Sequence, residues 1–263
     1  MYKVTLPFDA GAAALAAFGG RLHLACRSRD GRVAEASSAD GFNFEGWRTL
    51  PLVSVRGVAL GALDGRLHVA HVGLDDCIHT ASSADGVDFD REVRTTFRTA
   101  KGPALAALGG RLHLAWSAWE DDGLFAASAV GGESFGPAAE HPYMTANPPA
   151  LAAFGGRLHL ASAGRNGDLW LTSSDDGTAF GDPVRLPLLS AFRPALAVLH
   201  KRLYLAWTGP QGMLHTSASE DGRAFTWPTP LGERGLNPAL ADFQGRLYVA
   251  WEWPDGVLHV AHL

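Results

Sequence analysis

Short apolar runs alternate with polar turns along this chain, and one such pattern recurs six times. Its most regular part reads Ala-Leu-Ala-x-Phe/Leu-Gly-Gly-Arg-Leu-His-Leu-Ala, an apolar run followed by a two-residue break and an alternating run. The copies centre on six arginines spaced 44 to 46 residues apart, namely Arg21, Arg66, Arg111, Arg157, Arg202 and Arg246. A period in the forties with several short strands per copy is typical of a β-propeller.

Each copy reads as four strands, which we call A, B, C and D. In the fifth copy they are predicted at 194–199, 202–207, 214–217 and 225–230, separated by Gly, Pro and Asp clusters. A helical solenoid also fits this period. It is excluded because helical apolar stripes of ten or more residues are missing.

The two ends of the chain predict how the ring closes. The sixth copy stops after strand C at 258–263, and residues 1–11 read as an orphan strand D with its loop. We therefore expect Tyr2 to Phe8 to pair with the C-terminal strand, which leaves no exposed sheet edge there. The predicted fold is all-β, a six-bladed β-propeller of four-stranded antiparallel blades in a single domain. Its repeats are 12–56, 57–101, 102–147, 148–192, 193–236, and 237–263 with 1–11.

The turn between strands C and D carries a motif. In the fourth copy, residues 173–180 read Ser-Ser-Asp-Asp-Gly-Thr-Ala-Phe. This resembles the Asp-box of sialidases and related propellers, and fucose-binding and other lectin propellers are similar in architecture. The resemblance implies a folding element away from any active site. The segment around Arg193 is similar to the Arg-Ile-Pro motif of sialidases but lacks its Ile, and the sialidase catalytic set is not matched.

The mid-strand histidines of strand B recur from copy to copy and are predicted to pack between blades, because histidines on separate blades cannot share one metal ion. His71 and His79 flank Asp75, Asp76 and Cys77, which suggests metal ligands. His79 has counterparts in two other copies, so a structural role is preferred. No metal and no cofactor is assigned.

The repeat diverges on one face only. Strands of a meander run antiparallel, so A–B and C–D turns share the regular face, and B–C and D–A loops share the divergent one. Loops on a rigid scaffold commonly carry binding sites. The tryptophans of this face are expected to be exposed, and exposed aromatic rings beside carboxylates and arginines suit sugar stacking with polar contacts to hydroxyls. The candidate ligand-binding residues are Trp116, Trp119, Trp207, Trp251, Trp253, Arg56, Arg193 and His71. The alternative is that the tryptophans cap the core between blades.

Three functions remain open from the sequence. The first is a binding protein for a small molecule or glycan, with carbohydrate preferred. The second is an enzyme with one axial pocket, a glycoside hydrolase or another small-molecule enzyme, whose candidate acids and bases are Glu120, Asp121, Asp75 and Glu252. The third is a protein-interaction platform on the tryptophan-rich face.

Composition and charge restrict the classes of partner that this chain is expected to bind. The 263 residues carry a net charge of −5 and no basic block, which argues against nucleic acid. No apolar run reaches the roughly 20 residues that cross a bilayer, so no membrane partner is expected. The two cysteines are expected to be free thiols. The start lacks signal-peptide features, so a cytoplasmic location is expected, with leaderless export or a trimmed leader left open. A monomer is expected.

Overall fold

The computed structural model describes residues 3–263, and the side chains of all of these except 7–10. Blade 1 holds β1 (Lys3–Phe18), β2 (Arg21–Ser28), β3 (Arg32–Ser38) and β4 (Glu45–Val53). Blade 2 holds β5 (Ala59–Leu63), β6 (Arg66–Val72), β7 (Cys77–Ser83) and β8 (Val93–Arg98). Blade 3 holds β9 (Ala104–Leu108), β10 (Arg111–Ser117), β11 (Gly123–Val130), the short β12 (Ser134–Phe135) and β13 (Ala139–Met144).

The remaining three blades follow the same order. Blade 4 holds β14 (Ala150–Phe154), β15 (Arg157–Ala163), β16 (Asp168–Ser174) and β17 (Val184–Leu189). Blade 5 holds β18 (Ala195–Leu199), β19 (Arg202–Thr208), β20 (Met213–Ser219) and β21 (Thr229–Arg234). Blade 6 holds β22 (Leu236–Phe243), β23 (Arg246–Glu252) and β24 (Val257–His262). A 3-10 turn, Pro210–Gly212, precedes β20, and no helix among the described residues is long and apolar enough to span a bilayer.

Strand β1 closes the ring by serving two blades. Its first half pairs antiparallel with β24, in the register Lys3 with Ala261 and Thr5 with His259. Its second half pairs with β2, so blades 6 and 1 form one seven-stranded sheet. The innermost strands contact one another in the circular order β1, β5, β9, β14, β18, β22 and back to β1. The predicted six-bladed propeller and its closure are confirmed; Tyr2 lies outside the described residues.

The hydrophobic core lies between the blades. Six apolar clusters each join the facing sides of two neighbouring blades. Between blades 2 and 3, for example, Leu112 and Leu114 of β10 pack on Ala70 and Ile78 of blade 2, and all four are fully buried. Burying a leucine side chain contributes about 1.5–3 kcal/mol, so every blade is stabilised by both neighbours.

The recurring strand-B histidines pack between blades, as predicted. A Cβ added to Gly86 would lie 2.5 Å from His23, and one added to Gly132 would lie 2.4 Å from His68. The same contact recurs for His113 with Gly177 and His159 with Gly222. Each histidine therefore fills the space that the next blade's glycine leaves open.

The C–D turns are held by the aspartate directly before the glycine. Oδ1 of Asp85 accepts the backbone N–H groups of residues 87 and 88, and the Ser83 hydroxyl donates to it at 2.7 Å. The two backbone bonds lower the pKa of Asp85 to about 2. Equivalent bonds are made by Asp40, Asp176 and Asp221. In the Asp-box pattern Ser-x-Asp-x-Gly the aspartate of the fourth copy would be Asp175, but Asp175 is exposed and pairs with the Arg157 side chain at 3.3 Å. The turn motif is Ser-x-Asp-Gly.

Both cysteines carry free, buried thiols, as expected. Cys26 lies in β2 and Cys77 begins β7, in different blades. Burial raises the pKa of the Cys26 thiol to about 12, with a smaller contribution from Glu252. Cys26 therefore behaves as a small apolar core residue at neutral pH.

Candidate functional site

One pair of positions on each blade faces the preceding blade. The pair consists of the residue near the end of strand B and its cross-strand partner in strand C. From blade 1 to blade 6 the pairs are Cys26–Ala34, His71–His79, Trp116–Phe125, Ser162–Trp170, Trp207–His215 and Trp251–His259. In blades 2, 3, 5 and 6 both members are aromatic, with ring centroids 5.4 to 5.8 Å apart.

The cleft between blades 2 and 3, which we call the 2/3 cleft, is filled by this pair. Trp116 stacks on Phe97 of β8 with centroids 4.4 Å apart and on Phe125 at 5.8 Å. The Trp116 side chain is only 2% exposed. Three parallel rings thus close the gap between the two sheets.

The cleft between blades 3 and 4, the 3/4 cleft, is open because Ser162 replaces the tryptophan. A cavity of about 330 Å³ lies here. Trp170 forms one wall from β16, and Tyr143 of β13 forms the opposite wall. The cavity is also lined by Leu124, Pro142, Met144, Leu160, Leu171, Thr172 and Pro183. An apolar cavity with two aromatic walls and a few polar groups has the character of a small-ligand site.

Hydrogen bonds hold the walls of the 3/4 cleft in place. The Tyr143 hydroxyl donates to the Gly181 carbonyl of blade 4 at 2.7 Å, and the Thr172 hydroxyl donates to the same oxygen at 2.6 Å. Burial, followed by the charge of Asp182, raises the pKa of Tyr143, so it stays a neutral donor. One carbonyl thus links strand D of blade 3 to strand C of blade 4.

Charged groups lie beside the aromatic wall. Arg185 of β17 is the cross-strand neighbour of Trp170, and it donates to the Asp168 carboxylate at 2.6 Å. Asp168 and Trp170 are two residues apart on β16, so their side chains lie on the same face of the sheet. The Arg185 side chain is 59% exposed, which leaves its other guanidinium N–H groups accessible to a ligand.

The structure corrects the expectation that the candidate tryptophans offer exposed surface. Trp116, Trp207 and Trp251 are 2%, 3% and 0% exposed, because their strand positions face a neighbouring blade. Trp119 is half-buried, with the Arg98 guanidinium 5.2 Å from its ring centroid. Trp253 is 42% exposed and its ring lies 5.7 Å from that of His259. The alternative, that tryptophans cap the inter-blade core, holds for the three buried ones.

The two candidate arginines donate to backbone carbonyls near the axis of the ring. Arg56 donates from Nε to the Ala100 carbonyl at 2.7 Å. Arg193 donates to the Ala13 carbonyl, and burial lowers its pKa to about 10 against an opposing effect of Glu252. Arg193 also borders an axial cavity of only about 90 Å³, lined otherwise by small and apolar residues of strands A. Arg56 thus links the loops on either side of blade 2, and Arg193 links the start of blade 5 to blade 1 beside the axis.

The four candidate carboxylates lie in three different blades. Both Glu252 oxygens are engaged: Oε2 accepts the Ala12 N–H at 2.7 Å, and Oε1 accepts from the Asn237 amide. Asp121 caps the Gly123 N–H at 2.9 Å, and Glu120 is exposed beside it. Asp75 pairs with Arg94 at 2.5 Å and with His79 at 3.2 Å. None of the four lines the axial cavity.

Sequence reasoning did not select Ser162, Trp170 or Tyr143. The signal was present in the repeat alignment, which put a serine where three other copies have tryptophan. At this position Trp116 fills its cleft, whereas Ser162 leaves its cleft open. The last candidate, His71, is 1% exposed in the cleft between blades 1 and 2, and it donates from Nδ1 to the Val53 carbonyl at 2.9 Å.

Several solved structures, lectins among them, share this architecture. The Aleuria aurantia lectin, solved with Fucalpha1-6GlcNAc, is similar with a TM-score of 0.70 at 11% identity, over 97% of this chain and 93% of that one. AofleA from Arthrobotrys oligospora is similar with a TM-score of 0.76 at 11% identity, over 100% and 86%. The BP39L lectin from Burkholderia pseudomallei is similar with a TM-score of 0.71 at 14% identity, over 99% and 80%. Identities this low show a shared fold.

No protein-family model and no curated protein sequence matches this chain.

Proposed function

We propose that this protein is a carbohydrate-binding propeller that recognises a sugar in the 3/4 cleft. The observation that carries the proposal is the replacement of the aromatic pair by Ser162 and Trp170, which leaves an aromatic-walled cavity of about 330 Å³. Sugar rings present apolar C–H faces and polar edges, so they fit an aromatic wall flanked by polar groups.

The site divides into two parts. Trp170 and Tyr143 supply the stacking surfaces. Arg185 and Asp168 supply a charged donor and acceptor for hydroxyl groups, and charged hydrogen bonds are stronger than neutral ones. Ser162 leaves the space that a monosaccharide needs. Since the neighbouring structures include complexes with fucosides, fucosylated glycans are the first ligands to test.

The enzyme alternative has weaker support. Glycoside hydrolysis needs two carboxyl groups about 5–10 Å apart across the bond that is cleaved. None of the residues lining the cavity is a carboxylate, Asp168 beside its aromatic wall is paired with Arg185, and the four candidate carboxylates are engaged or exposed in other parts of the ring. The geometry supports binding without bond cleavage.

The test is a glycan array followed by calorimetry with α-methyl-L-fucoside. We expect wild type to bind and Trp170→Ala to lose at least about tenfold in affinity, because truncating a central aromatic residue typically costs about 2 kcal/mol. The control is Trp227→Ala, which removes a tryptophan that is 91% exposed and does not line this cleft. Absence of binding to any glycan, or equal loss in both variants, would overturn the proposal.

A further inference from the structure

Blade 2 presents three potential metal ligands on the face that looks toward blade 1. His71 comes from β6, His79 from β7, and Glu92 from the residue before β8. Glu92 Oε1 lies 3.4 Å from His71 Nε2 and 3.1 Å from His79 Nδ1. All three ligand atoms lie within 4.8 Å of one another.

The orientation of His71 leaves one nitrogen available. Its Nδ1 is 2.9 Å from the Val53 carbonyl, which only accepts, so Nδ1 carries the proton and Nε2 carries a lone pair. His71 is 1% exposed and its buried Nε2 has no hydrogen-bond partner. A buried polar atom without a partner costs free energy, and it is directed at His79 and Glu92.

His79 is oriented in the complementary sense. Its Nε2 lies 3.2 Å from Asp75 Oδ1, and the other oxygen of Asp75 accepts from Arg94 Nε at 2.5 Å. His79 Nδ1 lies 3.1 Å from Glu92 Oε1 and donates to it when Nδ1 is protonated; an ion bound at Nδ1 would place the proton on Nε2, where it donates to Asp75. Metal-bound histidines commonly donate their second N–H to a carboxylate or a backbone carbonyl. Here the acceptor is the Asp75 carboxylate for His79 and the Val53 carbonyl for His71. Gly73 makes room, since a Cβ there would lie 2.7 Å from His79 Nε2 and 2.9 Å from Asp75 Oδ1.

The carboxylate distinguishes blade 2 from its counterparts. The residue before strand D, aligned through the strand pairing, is Glu92 in blade 2 but Ala138, Pro183 and Pro228 in blades 3, 4 and 5. Blade 5 carries His215 at the position of His79, yet Trp207 and Pro228 replace the other two ligands. The full set occurs once in these four blades.

We propose that His71 Nε2, His79 Nδ1 and Glu92 Oε1 bind a divalent transition-metal ion, with zinc as the best fit. Zinc bonds of about 2.0–2.2 Å in tetrahedral geometry place ligand atoms about 3.3 Å apart, close to the two distances to Glu92. Two histidines and one carboxylate leave the fourth position to water or to a ligand. The Glu92 side chain is 45% exposed, so solvent reaches the site.

The test is a titration of metal-stripped full-length protein with Zn²⁺ in competition with a chelating indicator, and with Co²⁺ by visible absorption. We expect one ion per chain, tetrahedral Co²⁺ bands and a raised Tm with Zn²⁺. Loss of a partner such as Asp75 typically weakens metal binding 10–100-fold, so Asp75→Asn should fall in that range. Glu92→Gln and His79→Gln each remove a proposed ligand, so they should weaken zinc binding by more than this range.

The matched control is His215→Gln, the same strand position without the other ligands, and it should bind zinc like wild type. Glu92→Gln changes a partly exposed side chain, so its folding can be checked by circular dichroism before titration. No zinc binding by wild type, or equal affinities of wild type and Glu92→Gln, would overturn the proposal. Failure of the glycan experiments would leave this result unaffected, because the two sites lie in different clefts.

Discussion

Blade 3 has a cleft on each side, and the two clefts differ at the residue near the end of strand B. In the 2/3 cleft Trp116 lies between two aromatic rings and is 2% exposed. In the 3/4 cleft Ser162 takes the equivalent position, and about 330 Å³ opens between Trp170 and Tyr143. The comparison teaches that Trp116 fills its cleft and stabilises the contact between two blades, whereas Ser162 leaves room for a site between Trp170 and Tyr143.

The largest expected effect comes from opening the closed cleft. Trp116→Ser removes a stacked, buried indole, and such truncations cost about 3–5 kcal/mol. At about 2–4 °C per kcal/mol for a domain of this size, Tm should fall by about 10 °C. Differential scanning calorimetry measures this. Trp227→Ser, at a 91% exposed position, should change stability by less than about 0.5 kcal/mol. If both variants melt alike, the packing role of Trp116 is wrong.

A smaller effect is expected from the bond that braces the open cleft. Tyr143→Phe removes the hydroxyl that donates to Gly181 O and should cost about 1 kcal/mol in urea unfolding. Thr172→Val removes the other donor to the same oxygen. Either single variant leaves the Gly181 carbonyl one donor, and only the double variant removes both. The double variant should therefore lose more unfolding free energy than the two single variants added together. Strictly additive losses would show that the two bonds act independently.

The C–D turns of the regular face should have the same pKa pattern in every blade that carries the Ser-x-Asp-Gly motif, whichever cleft the blade borders. Hydrogen bonds from two backbone N–H groups and a serine lower the pKa values of Asp85 and Asp221 to about 2. A carboxyl with a depressed folded-state pKa stabilises the fold above its unfolded value near 4, and the stabilisation is lost as pH falls toward 2. An NMR titration of the two carboxyl groups checks this. Values near 4 for Asp85 and Asp221 would refute the turn assignment.

The fold was within reach of the sequence because it depends on features that repeat. The Gly-Gly-Arg break, the apolar alternation and the Asp-Gly turn recur in register, so six blades and their closure follow from periodicity. The site depends on exceptions. Whether the Trp116 side chain is exposed or buried depends on which face of its strand it lies on. Glu92 lies near His71 only because β6, β7 and β8 pair in a particular register. Such relations across strands do not show in one linear pattern.

The most direct test of the account is to close the open cleft with the residue that its siblings use. Ser162→Trp should fold, with a Tm equal to or above that of wild type, because the indole can occupy the cavity beside Trp170. Isothermal titration with α-methyl-L-fucoside should then show binding by wild type and at least about a hundredfold weaker binding by the variant, about 2.7 kcal/mol. Undiminished binding by a well-folded Ser162→Trp protein would contradict the claim that the 3/4 cleft is the carbohydrate site.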